Sequence, residues 1–174
     1  LTITGVGAVK PMASVSVKSR VTGYLERIHF KAGTEVRSGA LLFTLDKAPF
    51  QLILSQAAAN LERAKVAAAN ADRESRRYNQ LSSSAATAET RDQKAAAAAM
   101  AVHEVTASQA QAAIAKQNLE YCSITAPITG RTGNWLIDEG NLVTAYNEPL
   151  VVINQIQPLK VLFSAPQKDL AAIA

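Results

Sequence analysis

The chain has little of several residue types that specify particular functions. Its 174 residues include one cysteine and two histidines, and neither histidine has a cysteine or paired carboxylate at metal-ligand spacing, so we predict no disulfide framework and no metal site. Aromatic residues make up 5%, and the basic residues are dispersed despite a formal net charge of +4. A nucleic-acid-binding surface normally has a basic cluster or stacking aromatics, so we expect no nucleic-acid partner. Cys122 lies in an apolar alternation and is expected to be a buried thiol.

The sequence also lacks the residue patterns that enzymes and membrane-spanning helices use. It contains no Ser/His/Asp arrangement, no phosphate-binding glycine loop and no carboxylate pair in an apolar setting. Asp138 and Glu139 precede a glycine, where we expect them simply to occupy a turn. No apolar run is long enough to cross a membrane. We therefore expect neither catalysis nor a cofactor.

Glycine and proline are absent from the middle of the chain. No proline lies between Pro49 and Pro127, and no glycine lies between Gly39 and Gly130. Alanine, the best intrinsic helix former, makes up roughly a third of this stretch. Small residues interrupt the pattern at about residues 82–86. The sequence therefore predicts two long helices joined by a short turn, an antiparallel hairpin over residues 47–121 that spans roughly 50 Å.

Both predicted helices carry small and apolar residues at the a and d positions of heptads, as in a coiled coil. An interface rich in alanine and serine lets two backbones approach closely, but it buries little apolar area in each turn. The predicted seam consists of Leu54, Ala57, Leu61, Ala64, Ala68, Ala71, Ser75 and Tyr78 on the first arm, and Ala98, Ala101, Val105, Ser108, Ala112, Ala115 and Leu119 on the second.

The segments on either side of the hairpin repeat each other. The matches are Val21-Thr22-Gly23 with Ile128-Thr129-Gly130, Lys31–Val36 with Asp138–Val143, and Leu41–Leu45 with Leu150–Ile153. Each copy reads as short strands separated by glycine turns, and neither copy alone can bury both of its faces. We therefore predict that residues 14–46 and 122–156 pack together as one small sandwich or flattened barrel, with the hairpin inserted between its halves.

The two ends of the chain read as part of another β domain. Residues 1–13 alternate like strands, and residues 157–174 read as a strand followed by the start of a helix. We expect the C-terminal strand to pair with the Leu1–Val9 region. Because the chain begins without a methionine, inside an apparent strand, we expect it to be a fragment of a longer protein.

The arrangement resembles the periplasmic adaptors, or membrane fusion proteins of the HlyD/AcrA type, of tripartite efflux pumps. Each β half is similar to half of a lipoyl or biotinyl domain. The most specific match is Asn118–Arg131, which resembles the family signature where the chain returns from the hairpin, with Cys122 where a threonine is common. The resemblance implies an α+β fold: a coiled-coil hairpin inserted in a split lipoyl-like sandwich, plus part of a β-barrel domain.

The family resemblance also implies partners and a location. Adaptors of this kind form rings, usually hexameric, and bridge an inner-membrane transporter, commonly of the resistance-nodulation-division (RND) type, to an outer-membrane channel of the TolC type. The implied location is the periplasm of a Gram-negative bacterium, with anchoring to the inner membrane through a segment absent from this chain. The implied role is assembly without catalysis.

The resemblance also suggests which residues contact the channel. The family's hairpin tip often has an arginine, a leucine four residues later and a serine seven residues after that. Arg77 and Leu81 fit this spacing, the serine position falls on Ala88, and Thr87 is a plausible hydroxyl substitute. Thr87 is equally a candidate N-cap of the second helix. The alternative for Arg77 is that the Arg76-Arg77 pair merely solvates the tip.

Two other interpretations remain open from the sequence. Asp46-Lys47-Ala48 is the tripeptide that carries the modified lysine in lipoyl domains, so Lys47 is a candidate acyl-carrying residue. Such a lysine lies at the apex of a tight hairpin, however, and here a long helix is predicted to begin at that point. A generic coiled-coil scaffold would explain the hairpin but not the split repeat.

Overall fold

The computed structural model describes residues 7–82 and 85–163 of the chain. Their contacts divide the chain into two units. The β unit takes residues up to Asp46 and from Cys122 onward, and the helical unit is Lys47–Tyr121. The fold is therefore mixed, with the helices inserted in sequence between two parts of the β unit.

The helical unit consists of α1 (Ala48–Gln80) and α2 (Ala88–Tyr121). Pro49 lies in the first turn of α1, where a missing backbone N–H breaks no intrahelical hydrogen bond. The two helices pack against each other, and the short connection between them requires that they run in opposite directions. In the part of the chain that is described, neither helix contains a stretch apolar enough to span a membrane.

Burial along the two helices follows the predicted heptads. Every residue of the predicted seam is half-buried or buried, whereas nearly all the other residues of α1 are exposed. The most deeply buried helical positions are small: Ala57, Ala64, Ser75 and Ala115. The predicted seam positions are thus buried or half-buried, and the most deeply buried of them carry small side chains.

The β unit contains two four-stranded antiparallel sheets. The strands before the helices are β2 (Ser14–Lys18), β3 (Gly23–Ile28), β4 (Glu35–Val36) and β5 (Leu41–Leu45). Those after the helices are β6 (Ser123–Thr125), β7 (Gly130–Thr132), β8 (Leu142–Val143) and β9 (Pro149–Asn154). One sheet has the order β2-β9-β7-β4 and the other β6-β5-β3-β8. Each sheet therefore takes strands from both halves of the chain.

The two sheets are copies of each other, which confirms the predicted internal repeat. The strands β2, β3, β4 and β5 of the first half correspond in order to β6, β7, β8 and β9 of the second. When each strand is exchanged for its counterpart, the order β2-β9-β7-β4 becomes β6-β5-β3-β8. The turns repeat too. Gly140 N–H donates to the Leu25 carbonyl at 2.8 Å, and Gly33 N–H donates to the Thr132 carbonyl at 3.1 Å. Both glycines have positive φ, 87° and 75°, a conformation that glycine adopts without steric cost.

Side-chain hydrogen bonds join the two halves reciprocally. The Thr129 hydroxyl accepts from Ser38 N–H, and the Thr22 hydroxyl accepts from Ala145 N–H, both at 3.0 Å. Glu139 Oε1 accepts from Ile28 N–H at 2.7 Å. The sequence had suggested only that Glu139 occupies a turn. The structure gives it a further role, because its carboxylate accepts a hydrogen bond from a backbone amide of the other half.

The core of the β unit draws on both sheets. Its largest fully buried side chains are those of Phe43, Leu25, Leu42, Leu45, Leu150, Ile153, Val143, Val151 and Cys122. The predicted burial of the Cys122 thiol is confirmed. Phe30 extends the core at one edge, with its ring centroid 5.3 Å from that of Phe43 in an edge-to-face arrangement.

A two-stranded ribbon joins the ends of the described chain. Strands β1 (Gly7–Pro11) and β10 (Leu159–Phe163) pair antiparallel, which confirms that the C-terminal strand pairs with the N-terminal region. The strand residues expected before Gly7, the helix start expected near residues 168–173, and Ser83 and Ser84 of the turn lie outside the described residues.

The helices and the ribbon follow equivalent strands. The helices are inserted between β5 and β6, which are hydrogen-bonded neighbours. The ribbon strands flank β9 and β2, which are neighbours in the other sheet. Because β9 and β2 are the counterparts of β5 and β6, each sheet carries one additional element at the same position of the repeat.

Candidate functional site

The candidate site is the end of the helical unit where α1 finishes and α2 begins. Arg77 lies in the last turn of α1 with 71% of its side chain exposed, and its guanidinium is 3.9 Å from Glu74 Oε1. A cation in the last turn is favoured by the partial negative charge at a helix C-terminus. The exposed fraction leaves the Arg77 guanidinium accessible to a partner.

Leu81 is the C-cap of α1, directly after its last residue. Its backbone is extended (φ −75°, ψ 148°), and its N–H donates to the Tyr78 carbonyl at 3.3 Å. The residue is 39% exposed. Its carbonyl accepts a hydrogen bond from Arg91 Nη2 at 2.9 Å. The structure thus presents an apolar side chain to solvent on a backbone held from the opposite helix.

Thr87 is the N-cap of α2. Its hydroxyl accepts from Thr90 N–H at 3.2 Å and lies 2.8 Å from the Thr90 hydroxyl. Its carbonyl accepts from Arg91 N–H at 3.2 Å. This is the usual arrangement by which a threonine satisfies an unpaired amide at a helix start. The capping role of Thr87 is therefore confirmed, while its contact with a partner stays a prediction.

The three predicted residues lie at the same end of the helical unit. Arg77 is in the last turn of α1, Leu81 directly follows that helix, and Thr87 directly precedes α2. Ala88, which falls at the family's serine position, is the first residue of α2 and has no hydroxyl. Thr87, which directly precedes Ala88, does carry a hydroxyl.

Two basic residues of α2 lie next to these three residues, although no sequence pattern had marked them. Lys94 Nζ is 3.1 Å from Glu74 Oε1 on α1 and 5.4 Å from the centroid of the Tyr78 ring. Arg91 reaches the Leu81 carbonyl across the turn. Both positions continue the heptad of Ala98 toward the turn, so extending the predicted seam by one heptad would have found them. They were missed because the seam was traced through small and apolar residues.

Lys47, the alternative candidate, lies in a different setting. It is the N-cap of α1, with φ −88° and ψ −18°. A carrier lysine requires a tight turn between two strands, whereas here a helix of 33 residues follows Lys47 at once. The local geometry therefore gives no support to an acyl-carrying role.

Among the residues described, no group of three or more histidine, cysteine or acidic side chains is placed to hold a metal ion.

Comparison with known proteins identifies the family. Residues 13–155 match the family model described as RND MFP, barrel-sandwich hybrid domain. The chain is 36% identical over 173 residues to "Multidrug resistance protein MdtA" of Proteus mirabilis, a match that covers 98% of this chain and 42% of that relative. The chain thus spans less than half the length of this curated relative.

Solved structures share the fold. MacA from Actinobacillus actinomycetemcomitans superposes with a TM-score of 0.70 at 20% identity, covering 97% of this chain and 57% of that one. A MacA-MexA chimera containing the Pseudomonas aeruginosa MexA α-hairpin domain gives 0.66 at 24% identity, covering 95% and 56%. With the family match over most of its length, the chain belongs to the RND membrane fusion protein family and carries that family's barrel-sandwich hybrid domain.

Proposed function

We propose that the protein containing this chain is a periplasmic adaptor of a tripartite drug or solute efflux pump. In this role it bridges an inner-membrane transporter of the RND type to a TolC-like outer-membrane channel, without making or breaking bonds. The observation that carries the proposal is the family match over residues 13–155. The name of the Proteus mirabilis relative, a multidrug resistance protein, favours drugs as the exported class.

We assign three modules to the chain, and each has a place in such an adaptor. In this proposal residues 14–46 and 122–156 form a split lipoyl-like sandwich, and residues 47–121 form a coiled-coil hairpin with its tip at about residues 82–86. Residues 1–13 and 157–174 belong to an incomplete β-barrel domain. Support comes from the two repeated sheets and from the half-buried heptad seam of α1 and α2.

In this proposal the hairpin tip contacts the outer-membrane channel, and further copies of the chain are the other partners. The exposed Leu81 and Arg77 side chains, together with Thr87, contact the outer-membrane channel. An exposed leucine beside an arginine gives a small apolar contact flanked by a charge, a combination common in protein interfaces. Copies of the chain form a ring, hexameric in this proposal, so that weak tip contacts are multiplied by repetition. The location is the periplasm, with anchoring to the inner membrane through a segment outside this chain.

Photo-cross-linking in the complete adaptor tests the channel contact. A benzophenone amino acid at the exposed Gln80, next to Leu81, is expected to capture the outer-membrane channel, identified by mass spectrometry. The same probe at Gln56, which is exposed on α1 far from the turn, serves as the control and should capture no channel. Equal channel capture from both positions, or none from Gln80, would contradict the proposal.

Drug susceptibility tests the same site in cells. The pair Leu81→Asp and Arg77→Glu should leave the protein folded and abolish efflux, because it replaces the apolar contact and reverses the adjacent charge. The control pair Leu52→Asp and Arg63→Glu makes the same chemical changes at exposed positions of α1 away from the turn and should retain resistance. Unchanged resistance in the tip variant would count against a role for the tip.

A further inference from the structure

We propose that Arg91 is a positioning residue for the hairpin tip: it fixes the backbone at Leu81 so that the leucine side chain is presented to the channel. This inference rests on the proposed function and adds a residue to the site. Arg91 itself is not required to touch the partner. Its role is exerted through the Leu81 carbonyl.

The main geometric support is a hydrogen bond that crosses the turn. Arg91 Nη2 donates to the Leu81 carbonyl at 2.9 Å, although the residues are ten positions apart in the chain. Leu81 has already left the helical conformation, so its carbonyl receives no bond from the α1 ladder. The guanidinium supplies a donor from α2 and thereby restrains the orientation of the peptide that carries Leu81.

Burial separates Arg91 from the other arginines near the turn. The side chains of Arg76 and Arg77 are 75% and 71% exposed, whereas Arg91 is half-buried. The Nε atom of Arg91 is fully buried and has no hydrogen-bond partner among the residues described. Because this atom is buried, Arg91 packs within the turn and is not a freely solvated side chain. The residue is part of the interior of the turn.

Electrostatics favours the same arrangement. The C-terminal carbonyls of α1 carry partial negative charge, which a nearby cation stabilises. Hydrogen bonds with an ionised donor are also stronger than those between neutral groups. Arg91 therefore contributes both a directed donor and a charge at the point where α1 ends.

Lys94, three residues after Arg91 on α2, provides a matched control for the Arg91 variant. It also bridges α2 to α1, but through the Glu74 carboxylate rather than through the Leu81 backbone. Replacement of either residue by glutamine removes one positive charge and one contact between the helices. Only the Arg91 replacement removes the restraint on Leu81, so the two variants separate positioning of Leu81 from general stabilisation of the tip.

The first experiment is hydrogen exchange of the complete adaptor in the absence of its partners. In Arg91→Gln, the amides of Leu81, Ala85 and Ala86, which make the hydrogen bonds of the turn, should exchange at least about fivefold faster. In Lys94→Gln, the same amides should change by less than about twofold. Equal acceleration in the two variants, or none in Arg91→Gln, would overturn the inference.

The second experiment repeats the cross-linking from Gln80 in both variants. Capture of the channel should fall at least about fivefold in Arg91→Gln and stay near the wild-type level in Lys94→Gln, with the melting temperature of both variants measured in parallel. Unchanged capture in Arg91→Gln, or an equal loss in Lys94→Gln, would overturn the positioning role alone. Absence of capture in the wild-type protein would instead overturn the proposed function, and this inference with it.

Discussion

At the residue scale, Tyr146 has a backbone conformation that the repeat accounts for. Its φ is 59°, and its counterpart in the first half is Gly39, with φ 85°. The two amides make equivalent hydrogen bonds, from Gly39 N–H to the Ala126 carbonyl at 2.8 Å and from Tyr146 N–H to the Ser19 carbonyl at 2.9 Å. The turn requires a left-handed residue in both halves, and the second half places a tyrosine there.

Tyr146→Gly should therefore stabilise the β unit. Relief of the left-handed conformation is worth about 1–2 kcal/mol, and the added chain entropy of glycine costs about 0.5–1 kcal/mol. Because Tyr146 is 70% exposed, little burial is lost, and we expect the free energy of unfolding to rise by about 0.5–1 kcal/mol in urea titrations. Tyr24→Gly, at an exposed tyrosine in β3, is the control and should lower it. A loss of stability in both variants would refute the strain argument.

Thr87 calls for a variant that separates its two candidate roles. Thr87→Ala should lower the stability of the helical unit by about 1 kcal/mol, because the Thr90 amide loses its acceptor. Thr87→Asp keeps a capping oxygen and should retain stability, as measured by thermal unfolding. If the aspartate variant is stable but fails to capture the channel from Gln80, Thr87 contacts the partner directly. Retained capture would assign Thr87 to capping alone.

At the scale of elements, the small residues of the seam set how closely α1 and α2 pack. Ala64 is 6% exposed, so Ala64→Leu has to displace the facing helix and should lower the free energy of unfolding by about 1–3 kcal/mol. Ala67→Leu introduces the same side chain at an exposed position of α1 and should change stability by less than about 0.5 kcal/mol. Similar effects at the two positions would contradict a packed seam.

The elements also differ in how far the sequence predicted them. The seam could be predicted because helix geometry fixes the spacing of buried residues, and alanine and leucine mark that spacing directly. The matching turns could be predicted because Gly33 and Gly140 are required by the same backbone conformation. The hydrogen bond from Arg91 to Leu81 could not, because it depends on the conformation of the turn and on one arginine rotamer rather than on a periodic pattern.

The edge strands were the other feature that the repeat did not reveal. β2 pairs with β9 and β6 pairs with β5, although the sequence similarity between the halves was traced only from Val21 and Ile128 onward. An edge strand is held largely by main-chain hydrogen bonds, which any alternating segment can make. Its pairing therefore leaves a weaker mark on the sequence than the buried strands Leu41–Leu45 and Pro149–Asn154 do.

At the scale of the whole molecule, the β unit should fold without the helices. The chain leaves β5 and returns to β6 at neighbouring positions, with Leu45 N–H donating to the Cys122 carbonyl at 2.8 Å. A short Asn-Gly turn in place of residues 47–121 can span this gap, since antiparallel neighbours are readily joined by two residues. We expect the shortened chain to be monomeric and to unfold cooperatively in circular dichroism, with a β spectrum.

The control for this deletion keeps the same loop but interrupts the core. Leu25→Asp in the shortened chain should abolish cooperative unfolding, because Leu25 is 1% exposed and an unpaired carboxylate cannot be buried at low cost. A shortened chain that is unfolded without this change would show that the β unit depends on the helices.

The equivalence of β5–β6 and β9–β2 has a consequence for how such a chain can vary. The fold offers two equivalent insertion points, one in each sheet. Here one point carries the long helices and the other leads into the ribbon, while the reciprocal Thr22 and Thr129 hydrogen bonds remain between the copies. The helices or the ribbon can therefore change in length without altering the strand pairing at the other point.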